Sequence, residues 1–132
     1  MNQTAVRRVL ALKRRSWRQG LIVVADHPLR LRGLVDMADS QLLGDPLASW
    51  PGPYTWLLPA RPGPPTWLRG QHDTVAVRVS AHPLVQKLCH ESGTALVSTS
   101  ANSSGRPPLR RGLAVLAQFG SQIDCILDGH VG

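Results

Sequence analysis

Apolar residues recur along the chain with two periods, and the switches between them mark out alternating helices and strands. Val6, Val9, Leu10 and Lys13 fall at helical spacing, predicting a first helix over Ala5 to Leu12, capped by Asn2 or Thr4 and delivering Lys13-Arg14-Arg15 at its end. The unbroken run Leu21-Ile22-Val23-Val24-Ala25 predicts a buried strand. Asp26-His27-Pro28 reads as a turn and helix start, with Leu29, Leu31, Leu34 and Val35 as the apolar face. Ser40 to Ser49 is a weaker helical stretch, Trp50-Pro51-Gly52-Pro53 a rigid turn, and Tyr54 to Pro59 a second strand. The Pro and Gly breakers of Arg61 to Gly70 predict a surface loop with Trp67 and Leu68 tucked back.

Asp73 to Val79 alternates as a strand, with Thr74, Ala76 and Arg78 on one face and Val75, Val77 and Val79 on the other. His82-Pro83 opens a helix over Leu84 to Glu91, with Leu84, Val85, Leu88 and Cys89 inward, and Gly93 ends it. Ala95-Leu96-Val97 predicts another strand, Leu109 to Phe119 a last helix bearing Arg110 and Arg111, and Cys125-Ile126-Leu127 a final short strand. Strands alternating with helices argue for an α/β fold with a mixed sheet, and 132 residues suit one domain over 1–132.

The densest chemistry follows the strand at Ala95. Ser98, Thr99, Ser100 and Asn102 offer three hydroxyls and a carboxamide, with Gly105 and Pro107-Pro108 closing the loop. Open α/β sheets bind ligands at the carboxyl ends of their strands, where this loop would sit, although Ser-rich turns also bond their own backbone. Lys13 and Arg15 add two cations, which a helix C-terminus also favours without any ligand. Arg78 puts a charge on a strand that reads as interior and needs an anion, water at the strand end, or Asp73. Cations converging with hydroxyls and N–H groups are what a phosphate chain requires. Neither Gly-x-x-x-x-Gly-Lys-[Ser/Thr] nor Gly-x-Gly-x-x-Gly occurs.

Charge sharpens the picture. The 15 Lys and Arg against 8 Asp and Glu leave a formal +7 and point to polyanionic partners, nucleotides or RNA. Cys89 and Cys125 form no Cys-x-x-Cys pair and sit in apolar stretches where free thiols are commonly buried. His27, His72, His82, His90 and His130 lack metal-ligand spacing. No apolar run approaches a membrane span and the first residues lack a secretory h-region, so a soluble cytoplasmic protein without a membrane partner is expected.

Taken in order, several segments resemble the YrdC/TsaC-like threonylcarbamoyl-AMP synthases: Leu12-Lys13-Arg14-Arg15 with Gly20-Leu21-Ile22-Val23, then Trp50-Pro51-Gly52-Pro53-Tyr54-Thr55, His72 to Val79 with His82-Pro83-Leu84-Val85, and Ser98-Thr99-Ser100-Ala101-Asn102 with Gly105. The resemblance implies a twisted mixed β-sheet with flanking helices, a YrdC-like single domain, and a nucleotidyltransferase that makes threonylcarbamoyl-AMP and pyrophosphate from L-threonine, bicarbonate and ATP. The product would feed threonylcarbamoyladenosine synthesis in tRNA, with tRNA and other proteins of that pathway as partners. The family's Lys-x-Arg falls on Lys13 and Arg15 and its Ser-x-Asn on Ser100 and Asn102, the implied catalytic set. Ser98, Thr99 and Arg78 would bind ATP or the adenylate, Mg²⁺ is expected on the phosphates, and no permanently bound cofactor is implied. Relative to the family, an upstream loop containing Pro-Thr-Glu and a downstream Pro-Ser segment are expected to be absent. The competing reading is an RNA-binding module of the same fold without catalysis, supported by Arg7, Arg8, Arg14, Arg15, Arg18, Arg30, Arg32, Arg110 and Arg111.

Overall fold

The computed structural model describes residues 1–38 and 40–131. Its regular elements run α1 (Gln3–Lys13), β1 (Ile22–Ala25), α2 (Ser40–Ser49), β2 (Trp56–Pro59), α3 (Thr66–Arg69), β3 (Thr74–Val79), α4 (Pro83–Ser92), β4 (Leu96–Ser98) and α5 (Gly112–Phe119). The chain forms two compact units, one from Trp17–Ser98 and the other from Asn2–Ser16 with the residues from Thr99 onward.

The first unit holds a four-stranded mixed sheet in the order β2-β3-β1-β4. β1 runs parallel to β3 and antiparallel to β4, while β2 is antiparallel to β3. Cross-strand partners share a face, so the register sorts the sheet residues into two sets. Val75, Val77 and Val79 of β3, Val23 and Ala25 of β1, and Leu58 of β2 fall in one set and are buried, with Trp56 and Val97 half-buried on the same face. Thr74, Ala76 and Arg78 share the opposite face with Ile22, Val24, Leu57, Leu96 and Ser98. The alternation that predicted β3 therefore puts its three valines on one face and Arg78 on the other, where it neighbours the buried Val24 of β1.

Two connections hold the sheet in place. α4 is started by Pro83 and stopped at Gly93 in the left-handed conformation, and it packs on β1, where the Cys89 thiol donates to the Val24 carbonyl at 3.8 Å. The Arg61–Gly70 stretch contains α3 rather than only a loop, because Leu68 is fully buried and its carbonyl accepts the Leu21 N–H at 2.9 Å, tying α3 to the start of β1.

Other expectations are corrected here. After Pro28 there is only a 3-10 turn, Pro28–Leu31, with Leu31 buried and Leu29 exposed. Beyond it the backbone pairs with the end of β2, through an isolated Val35–Ala60 bridge and the bonds Asp36 N–H to Pro59 O and Arg61 N–H to Leu34 O, so tertiary pairing overrides the helical pattern. Leu88, expected inward on α4, is exposed.

In the second unit, Asn2 caps α1 by accepting the Ala5 N–H, and Val6, Leu10 and Phe119 are buried. Arg8 donates to Asp124 at 3.2 Å and to the Gln122 carbonyl at 3.1 Å. α5 starts at Gly112, not Leu109, because the Leu109 N–H closes the preceding loop by bonding the Ala101 carbonyl at 2.9 Å. Cys125-Ile126-Leu127 forms no strand and Cys125 is exposed, contrary to expectation; Cys125 and Ile126 line an apolar groove with Leu113 and Leu116 instead. Three apolar residues make a strand only where a sheet edge is in reach.

Candidate active site

The Lys13 backbone is set by the way α1 ends. Arg14 occupies the left-handed region at φ 51°, ψ 44°, where glycine is usual, and its N–H and that of Arg15 return to Ala11 and Leu10. The turn leaves the Lys13 carbonyl free to accept the Ser104 N–H at 2.7 Å, which fastens the Ser-rich loop to the helix terminus. Within the loop, Asn102 N–H bonds Ser100 O and Arg106 N–H bonds Ser103 O, both at 3.0 Å.

The Lys13 ammonium then crosses to this loop. Nζ donates to the carbonyls of Ser100 at 2.7 Å and Asn102 at 3.0 Å and to Asn102 Oδ1 at 2.6 Å. Asn102 Oδ1 also accepts from Ser100 Oγ at 2.8 Å, and its Nδ2 donates to the Arg106 carbonyl at 2.5 Å. Lys13 is buried although no carboxylate faces it among the described residues; burial first and the neighbouring Arg15 charge second pull its pKa below the ordinary lysine value.

Of the residues singled out from the sequence, the structure thus joins Lys13, Ser100 and Asn102 in one cluster, with Arg15 half-buried beside them and Thr99 exposed where the loop begins. Arg78 and Ser98 lie in the first unit, on the same sheet face and separated by β1. Arg78 does not pair with Asp73, which stands 3.9 Å from Arg69. Its Nε is buried with no hydrogen-bond partner among the described residues, so the strand presents a desolvated donor. Sequence reasoning overlooked Arg106, whose carbonyl orients the Asn102 amide, and Ser104; a backbone contact leaves no mark on residue type. The first unit also has a polar cleft of about 600 Å³ lined by His27, Arg30, Arg32 and Thr94. Beside it Asp26 pairs with Arg30, whose hydrogen bond holds that carboxyl below its ordinary range. No group of three His, Cys, Asp or Glu side chains among the described residues could hold a metal ion.

Comparison with known proteins decides the family. The profile described as Telomere recombination, which groups Sua5, YciO and YrdC, matches residues 1–132. The chain belongs to the Sua5/YciO/YrdC family. Within that family, the chain is 50% identical over 131 residues to the threonylcarbamoyl-AMP synthase of Methylococcus capsulatus, covering 99% of this chain and 70% of that protein. It is 48% identical over 130 residues to the enzyme of the same name from Vibrio cholerae, covering 97% and 69%. Among solved structures, P. abyssi Sua5 complexed with L-threonine superposes with a TM-score of 0.87 at 32% identity, over 98% of this chain and 38% of that one. E. coli YciO, at 21% identity and a TM-score of 0.79, covers 98% of this chain and 64% of its own, and attests to the fold. The mixed sheet with flanking helices is the family fold expected from the sequence.

Proposed function

We propose that this chain works as a threonylcarbamoyl-AMP synthase, joining L-threonine, bicarbonate and ATP into threonylcarbamoyl-adenylate with release of pyrophosphate and water. The observation that carries the reading is the 50% identity to a synthase over 131 residues, nearly the whole chain. The threonine amine and bicarbonate form a carbamate with loss of water; a carbamate oxygen attacks the α-phosphorus and the bond to pyrophosphate breaks. Negative charge must be balanced along that path, so catalysis is positioning and electrostatic stabilisation, with no covalent nucleophile. Arg15 and Arg78 supply the cations, the buried Nε of Arg78 being a donor still unspent. The loop built by Lys13, Ser100 and Asn102, together with Ser98 and Thr99, would bind the adenylate and threonine.

Mg²⁺ would accompany the ATP phosphates and offset part of their charge. The adenylate would pass to tRNA threonylcarbamoyladenosine synthesis in the cytoplasm, with tRNA and the proteins of that pathway as partners. No helix among the described residues is long and apolar enough to cross a membrane.

The test is exchange of labelled pyrophosphate into ATP by the folded chain. Exchange that requires both L-threonine and bicarbonate is expected. A folded chain without such exchange, yet binding RNA in a salt-sensitive manner, would overturn the synthase reading in favour of an RNA module.

A further inference from the structure

An ammonium group has three hydrogens to donate and a serine hydroxyl has one. At the Ser-rich loop all four are spent within the chain. Lys13 Nζ meets three acceptors at 2.6 to 3.0 Å, Asn102 Oδ1, Ser100 O and Asn102 O, and stands 3.5 Å from Ser100 Oγ as a fourth, longer contact. Ser100 Oγ gives its hydrogen to Asn102 Oδ1 at 2.8 Å. The amide cannot be turned over to reverse this pattern, because Asn102 Nδ2 is held by the Arg106 carbonyl, and a flipped amide would set its NH₂ against the ammonium. With one side of Oγ turned to the Lys13 ammonium, what Ser100, which is exposed, still offers outward is one lone pair on Oγ.

We propose that Lys13 is a positioning residue that gives no hydrogen bond to substrate, and that Ser100 Oγ accepts a hydrogen bond from an N–H or O–H of the substrate. This rests on the synthase reading for the substrate's identity. Ionised phosphate oxygens only accept hydrogen bonds, so the fully ionised pyrophosphate part of ATP is a poor match for Ser100. The donor-bearing parts, threonine with its nitrogen and hydroxyl or the nucleoside with its amine and ribose hydroxyls, fit. Lys13 acts at one remove: by donating to two carbonyls and to one lone pair of Asn102 Oδ1 it fixes the loop, and its charge 3.5 Å from Ser100 Oγ turns the Ser100 hydrogen toward the other lone pair of Oδ1.

Two measurements on the full chain test this. In the ligand-free protein, Lys13→Met is expected to lower amide hydrogen-exchange protection at Asn102, Ser104 and Leu109 by about tenfold or more, while Lys13→Arg retains part of it, because the loop loses the cation that ties the Ser100 and Asn102 carbonyls together. In titrations with pyrophosphate, adenosine and L-threonine separately, Ser100→Ala is expected to keep pyrophosphate affinity within about twofold and to weaken adenosine or threonine about tenfold. Loss of pyrophosphate affinity in Ser100→Ala overturns the acceptor assignment. Loss of pyrophosphate affinity in Lys13→Met with loop protection unchanged overturns the positioning assignment, since it would mean direct contact. If the parent binds none of the three ligands, the synthase reading falls, and the exchange measurement still decides the role of Lys13. Should Lys13→Met not fold, the Ser100→Ala titration decides.

Discussion

Gly70 is where a single methyl group should do most damage. The segment leaving α3 crosses the turn before β1 so closely that a Cβ on Gly70 would stand 2.3 Å from Arg18 O, 2.6 Å from Gly20 N and 2.8 Å from Arg18 C. All three are backbone atoms, so no side-chain rotation relieves the clash. The conformation at φ 71°, ψ −142° is itself open almost only to glycine, costing any other residue about 1–3 kcal/mol. Separating the strands of chain would strain two stitches, Gln71 N–H to Arg18 O at 3.1 Å and Leu21 N–H to Leu68 O at 2.9 Å, each contributing about 0.5–1.5 kcal/mol. Gly70→Ala should therefore destabilise by roughly 2–6 kcal/mol, a large part of the roughly 5–15 kcal/mol typical of a folded domain. Urea unfolding followed by circular dichroism measures this. Gly44→Ala is the control, since Gly44 lies inside α2 with open space around its Cα, and it should stabilise by about 0.5–1 kcal/mol. A Gly70→Ala chain within about 0.5 kcal/mol of the parent would refute the reasoning.

The Asp26–Arg30 pair predicts acid sensitivity: because the Asp26 carboxyl is held below its ordinary pKa, its stabilisation is present above about pH 4 and lost as pH falls through the lowered value, and Asp26→Asn should flatten stability against pH in that range. Iodoacetamide should alkylate exposed Cys125 quickly and leave Cys89 untouched in the folded chain, since burial removes access and pushes the Cys89 thiol pKa up; mass spectrometry of the peptides reads it, and equal labelling would contradict the burial. Arg78→Met should leave ligand-free thermal stability unchanged or slightly higher, because it removes a buried donor without a partner, while weakening pyrophosphate binding; a clear fall in melting temperature would show that Arg78 is structural.

Much of this molecule was legible one segment at a time. The strands at Ile22, Thr74 and Leu96 and the helices α1 and α4 follow from period and punctuation, because a strand buried on one face or a helix closed by proline and glycine is specified within about ten residues. The candidate chemistry was legible as residue types: Lys13 and Ser100-Ala101-Asn102 stand out as a cation and a hydroxyl–amide cluster, and the comparisons bear out the family those segments resemble. Short apolar runs misled for one physical reason, that Cys125-Ile126-Leu127 or the residues after Pro28 take the conformation their neighbours in space provide. Tertiary structure alone decided the wiring of the loop. Whether Lys13 faces solvent or reaches a carbonyl 87 positions along the chain, and whether Ser100 is left as donor or acceptor, depends on hydrogen-bond geometry between distant segments. Local periodicity records which side chains avoid water; the direction of a hydrogen bond is set only when both partners are held in place.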